Sequence, residues 1–195
     1  MTWWMRVRVV PWIALSLAVV CCTAALLPAS DVPVPSVVGG LTTGLPFRYL
    51  MPLLPALLIL HGQARADRPS EDVAARSVRL LDAGVAVGAV GVLLLVSPVV
   101  PDAVAVARNL AGYLGFALVL RSLSTPRLAT AVTAFLPFAA ASLGGGVPPS
   151  WWAWPLHDGR DPLAAACAAV LFAAGLALSF RPPLMGDRHA PDGDG

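Results

Sequence analysis

Apolar residues arrive in six long runs, separated by short stretches where proline, glycine, arginine and aspartate collect: Val9 to Leu27, Phe47 to His61, Leu80 to Val96, Ala103 to Leu120, Leu128 to Leu143 and Pro162 to Phe180. A bilayer core of about 30 Å takes ~20 residues of helix, so each run reads as a membrane crossing. Several fall short of that length, which predicts a tightly packed bundle with thin or tilted spans. The turns between them are brief, "SPVVPD" after the third run and "RSLSTPR" after the fourth. The predicted fold is therefore all-α, a polytopic transmembrane bundle of about six helices. It forms a single integral membrane domain over residues 1–195, with a short disordered tail at 182–195.

The start of the second crossing is the least regular part of the pattern. "VVGGLTTGLPFRYLMPLLP" carries Gly39, Gly40, Gly44, Pro46, Pro52 and Pro55, a poor recipe for one continuous helix. A re-entrant or surface segment from Ser36 to Leu45, followed by a proline-kinked span, is the preferred reading, with a plain outer loop as its alternative. The choice fixes the depth of Arg48. If the span begins at Phe47, Arg48 lies at the membrane surface; if Ser36 to Leu60 crosses as one unit, it lies near the middle, where a charge is costly and usually functional.

Composition agrees with a membrane setting: 57% of the 195 residues are hydrophobic, 12% are charged and the mean hydropathy is +0.76. A net charge of +2 is too small to point to nucleic acid. All 13 basic residues are arginine. Without lysine there can be neither a Walker A phosphate loop nor a pyridoxal Schiff base. Cys21, Cys22 and Cys167 lie inside apolar runs and read as packing residues rather than a disulfide or metal set.

Arginine placement orients the chain, because basic flanks are retained on the cytoplasmic side. With the N-terminus inside, Arg6, Arg8, Arg65, Arg68, Arg76, Arg79, Arg121, Arg127, Arg181 and Arg188 are cytoplasmic and Arg48, Arg108 and Arg160 are outside. Both termini are then cytoplasmic and the protein belongs in the cell membrane. "MRVRVV" could begin a secretory signal, but Val20 before Cys21 is a weak lipoprotein site, and an uncleaved first span is expected.

The stretch from Gly144 to Asp161, "GGGVPPSWWAWPLHDGRD", is the richest in chemistry. Trp151, Trp152 and Trp154 precede the last crossing, as Trp3, Trp4 and Trp12 open the first, and indoles favour that interfacial depth. They are the outer-loop interface candidates, with a substrate-facing aromatic platform as the sharper alternative. His157, Asp158 and Asp161 barely make a zinc ligand count. Asp161 before Pro162 is what a helix N-cap uses, and His157 and Asp158 read as solvated loop residues. No HExxH, GxSxG or paired intramembrane carboxylates occur, so no catalytic residue, metal site or cofactor is expected and the chain does not read as an enzyme.

The candidates for a substrate or a pathway are Arg48, Arg108 and Asn109. Arg108 stands about 9 Å along the fourth helix and can snorkel outward. Arg108, Gly112 and Gly115 share one face, and Gly84, Gly88 and Gly91 share another on the third helix; the two stripes predict close packing of these helices.

On "RNLAGYLGFALVL" from 108 to 120, the prolines around Pro137 and "WWAWPL" from 151 to 156, the second half of the chain resembles small integral membrane proteins of actinobacteria, some of which accompany ATP-binding-cassette exporters and resemble their permease subunits. The resemblance implies six helices and a separate ATP-binding subunit, and carries over no functional residue. The chain departs from a permease in lacking a long coupling helix beyond the 62 to 79 segment, which is its longest cytoplasmic connection. Two functions follow as expectations: a permease-like membrane subunit of an ABC-type transport system, or a non-transporting accessory or structural membrane protein. The expected partners are the lipid bilayer, that ATP-binding subunit and a second copy of the chain. A transport subunit should show a polar path on which Arg48 or Arg108 converges; an accessory protein should close into a bundle with both arginines turned to the headgroups.

Overall fold

The computed structural model describes residues 9–26, 30–35, 42–64, 75–100, 102–144 and 149–180. Helix α1 (Val10–Leu26) is followed by two strands, β1 (Asp31–Pro35) and β2 (Thr42–Pro46), and then by the short α2 (Phe47–Leu50) and α3 (Leu53–Ala64). Four longer helices complete the chain: α4 (Ala75–Val96), α5 (Ala103–Leu123), α6 (Pro126–Gly144) and α7 (Pro162–Ser179). A 3₁₀ turn at Trp154–Leu156 lies between the last two. Residues 36–41 of the irregular stretch, the tail at 182–195, residues 65–74 of the long connection, Trp3 and Trp4 lie outside the described residues.

Helices α5, α6 and α7, and α4 from Arg79 onward, are each long and apolar enough to cross a membrane. Helix α1 is as apolar as α7 but one residue shorter, at 17 residues. It buries Ile13, Ser16, Leu17, Val20 and Ala24, a stripe at three- and four-residue spacing, and exposes Trp12, Leu15, Val19 and Leu26. Its hydroxyls bond back to its own backbone, Ser16 to the Ile13 carbonyl at 2.7 Å and Thr23 to that of Val19 at 2.9 Å. They therefore need no water at membrane depth.

The second apolar run is broken, for the reason its prolines give. Pro52 and Pro55 have no N–H to offer the carbonyls four residues back, so the ladder that starts at Phe47 stops at Leu50 and resumes at Leu53. Arg48 thus sits in the first turn after a strand, and Ser36 to Leu60 is not one helix. The fold is all-α apart from one short ribbon, in which Asp31–Pro35 pairs antiparallel with Thr42–Pro46, with Val32 opposite Leu45 and Val34 opposite Thr43. Val34 and Leu45 are buried against Tyr49, Ala105 and Ala141, so the ribbon seats on one end of α5 and α6.

Helix α5 is the pillar of the bundle. It touches α2, α3, α4, α6 and α7, most extensively α7, and 78% of its span is buried against 17% for the spans in α4 and α7. Val106, Ala107, Leu110, Tyr113 and Leu114 from α5 meet Val20, Ala56, Ile59, Ala86, Leu93, Ala164 and Ala168 in one continuous core. An all-round buried helix needs no polar face, which is why the α5 sequence shows little amphipathic alternation.

The glycine stripes do not pair as their spacing suggested. Around Gly84, Gly88 and Gly91 there is open space where a side chain would go. On α5, a Cβ at Gly112 would strike the Trp154 indole, and one at Gly115 would strike the backbone of Leu171 and Phe172 on α7. Gly175 returns the contact, lying so that its Cβ would come 2.7 Å from the Gly115 carbonyl oxygen. The close approach is therefore between α5 and α7, not between α4 and α5.

Candidate functional site

At the end of the bundle where α5 begins and α6 ends, the segment from Pro149 to Asp161 folds into a cap. Trp154 inserts its indole into the notch left by Gly112 and lies 5.5 Å, centroid to centroid, from the ring of Tyr113. It is buried, whereas Trp151 and Trp152 stay exposed, so the three tryptophans do two jobs. Trp152 also folds over the end of α6, where a Cβ on Gly144 would meet its ring at 3.2 Å. The Ser150 amide donates to the Gly144 carbonyl at 3.0 Å, tying the cap to α6.

Beneath the cap lies a polar layer in an otherwise apolar bundle. Arg108, expected to snorkel outward, is buried. Its Nη2 donates to the His157 carbonyl at 2.9 Å, its Nη1 to the Asp158 carbonyl and its Nε to Asn109 Oδ1 at 3.2 Å. Asn109, fully buried beside it, donates from Nδ2 to the Pro155 carbonyl at 3.2 Å. A guanidinium placed one turn inside an apolar helix is held there because three oxygens replace the water it gave up.

Arg48 belongs to the same layer and has a carboxylate partner that lies outside the predicted spans. Its Nη1 reaches Asp102, just before α5, at 3.1 Å, and its guanidinium carbon lies 5.1 Å from the centre of the Tyr49 ring. Tyr49 donates from its hydroxyl to the His157 carbonyl at 3.3 Å, and Tyr113 donates to the Tyr49 carbonyl at 2.9 Å. Both tyrosines of the chain therefore lie in this one network. Their rarity in an apolar sequence was the available signal for them, since a buried hydroxyl calls for a partner.

His157 is not simply solvated. Asp161 caps α7 as expected, accepting from the Leu163 amide at 2.8 Å and the Ala164 amide at 3.3 Å, and its other oxygen lies 2.7 Å from His157 Nδ1. His157 Nε2 lies 3.2 Å from the Ser150 carbonyl oxygen. Asp158 turns outward and accepts from the Gly159 amide. Among the described residues, no three His, Cys, Asp or Glu side chains gather as metal ligands would. Cys21 and Cys167 pack partly buried against the core, while Cys22 is exposed.

The bond from His157, with those from the Ala164 and Leu163 amides, holds the Asp161 carboxyl below the usual carboxylate range. A lowered folded value means that the unfolded chain binds the proton more readily, so this contribution to stability is complete above the ordinary carboxylate pKa of about 3.9 and is lost as pH falls through the folded value. Asp161→Asn keeps a good N-cap but has no charge to lose. Wild type is expected to be the more stable protein at neutral pH, with the gap closing in acid, as read from thermal unfolding in detergent between about pH 2 and about pH 6.

Arg48, Arg108 and Asn109 are thus brought together at one end of the bundle, and Trp154 is joined to them through the cap, while Trp151 and Trp152 face away. A crevice between α1, α3 and α4, lined by Ile13, Ile59, Gln63, Asp82 and Val85, lies apart from this layer and holds none of those residues. No family model, curated protein or solved structure matches the chain.

Proposed function

We propose that the chain is a non-transporting accessory or structural protein of the cell membrane, a six-crossing bundle closed at its outer end by the polar cap. The observation that carries this reading is Arg108: a buried cation that spends its donors on the carbonyls of the cap and on Asn109 is a fastening of the fold. Arg48 is tied through Nη1 to Asp102 and lies beside the Tyr49 ring, while its Nε has no partner among the described residues. The six crossings are α1, the kinked pair α2 and α3, and α4 to α7. An even number puts both termini on one side, and the arginine bias makes that side cytoplasmic. The cap then faces outward, with Trp151 and Trp152 at headgroup depth. On this reading the chain is not an enzyme, since the His157–Asp161 pair serves the start of α7.

The test is purification of the tagged full chain from native membranes in mild detergent. The expected result is a preparation free of any ATP-binding subunit, with a C-terminal fluorescent reporter active inside the cell. Stoichiometric recovery of an ATPase whose turnover depends on this chain would overturn the accessory reading in favour of a permease-like subunit.

A further inference from the structure

His157 is placed so that each ring nitrogen faces an oxygen, Asp161 Oδ2 at 2.7 Å from Nδ1 and the Ser150 carbonyl at 3.2 Å from Nε2. Neutral imidazole carries one N–H and one lone pair. With the proton on Nδ1, the Nε2 lone pair points at a carbonyl oxygen; with the proton on Nε2, the Nδ1 lone pair points at a carboxylate. Only the imidazolium donates to both at once. The two oxygens belong to different parts of the structure, because Asp161 caps α7 while Ser150 is bonded to Gly144 at the end of α6 and begins the turn that carries Trp151 and Trp152.

We propose that His157 makes the cap a proton-dependent clip, joining the start of α7 to the end of α6 when the ring is doubly protonated and loosening the Trp151–Trp152 turn when it loses a proton. This goes beyond the accessory reading and does not depend on it. Among the described residues, the charged and titratable groups bonded to His157 are Asp161 at the start of α7, and Arg108 from α5 and Tyr49 from α2, the last two through the His157 carbonyl; Arg48 in turn reaches the Tyr49 hydroxyl, and Asp158 and Arg160 are neighbours of His157 in the loop sequence. The end of α6 contributes backbone alone among the described residues. Because Asp161 is held below the usual carboxylate range, it stays ionised well into acid and its own titration lies apart from the clip's.

The experiment is hydrogen exchange of the full chain in detergent micelles, read on the peptide covering residues 149–161 and corrected for the intrinsic pH dependence of exchange. The Ala153, Leu156 and Asp161 amides, bonded to the Ser150, Ala153 and Asp158 carbonyls, are the reporters. Protection should fall about tenfold between about pH 5 and about pH 8, the interval in which histidine is the ordinary side chain to change charge, and by the amount one charge-assisted hydrogen bond is worth. His157→Arg, a permanent cation, should remove the transition. Protection in wild type that does not change across the interval, or a transition that survives in His157→Arg, overturns the proposal, and the first of these needs no variant to fold.

Discussion

Replacing Arg108 by methionine is expected to cost the folded protein about 3 kcal/mol, the largest effect of any side chain in the polar layer beneath the cap. Three oxygens, on Asn109, His157 and Asp158, lose a charged donor at once, and each such bond is worth ~1.5–3 kcal/mol before compensation. The offset is real, because methionine also removes a desolvated cation, and replacing a buried charge by an apolar side chain of similar length can recover part of the loss. Methionine nevertheless takes the charged donor from all three oxygens and leaves the His157 and Asp158 carbonyls only neutral donors, the Tyr49 hydroxyl and the Asp161 amide, and that loss dominates. Lysine keeps the charge but gathers its donors at one point, so it cannot span the fork from Asn109 to the two cap carbonyls, and Arg108→Lys is expected to fall between wild type and Arg108→Met. Unfolding by sodium dodecyl sulfate from mild detergent micelles reads the order. Equal stability of Arg108→Met and wild type would mean that Arg108 is not a fastening of the cap.

Helix positions were legible in the sequence because hydropathy reports burial in lipid or protein alike. The run after Asp161–Pro162 begins where capping chemistry places it, and the run from Ala103 ends only three residues beyond its expected limit. What periodicity could not supply was the identity of neighbours. Arg108, Gly112 and Gly115 share a face as their spacing dictates, yet that face meets the cap and α7, while a Cβ on the Gly84, Gly88 and Gly91 face of identical spacing would meet nothing within 4 Å among the described residues. Spacing specifies a face and leaves its partner open.

The cap was hidden for a related reason. Arg48 and Asp102 are 54 positions apart, and the carboxylate lies in the turn ahead of α5, outside the apolar runs that hydropathy marks. Trp154 reads like its neighbours Trp151 and Trp152 in a string of aromatics. It is buried because Gly112 leaves a notch of its size on α5, a complementarity that exists only once the loop has folded back. The ribbon of Asp31–Pro35 and Thr42–Pro46 carries three prolines within its ten residues, which masks strand character in a pattern otherwise governed by helices.

The second large effect is expected at Gly115, where substitution by alanine should destabilise the bundle by about 3 kcal/mol, the upper end of what overpacking costs. The reason is the identity of the obstructing atoms. A new methyl at Gly115 would fall on the backbone of Leu171 and Phe172, which cannot rotate aside as a side chain can, so α5 and α7 would have to separate along their most extensive contact. Gly175→Ala meets the same seam from the other side, against the Gly115 carbonyl oxygen at 2.7 Å and Leu118 Cβ at 2.9 Å, and should behave alike. Because the two glycines share one contact, the double variant should cost less than the sum of the singles. Gly84→Ala and Gly88→Ala are the controls: with no atom within 4 Å of the new methyl, each should be neutral or more stable by up to about 1 kcal/mol, the helix preference of alanine over glycine. Denaturant titration of the four variants in one detergent separates the seam from the open face. A loss at Gly88 comparable to that at Gly115 would mean that the open face of α4 is covered in the membrane, and repeating the titration at several protein-to-detergent ratios would then show whether a second copy covers it.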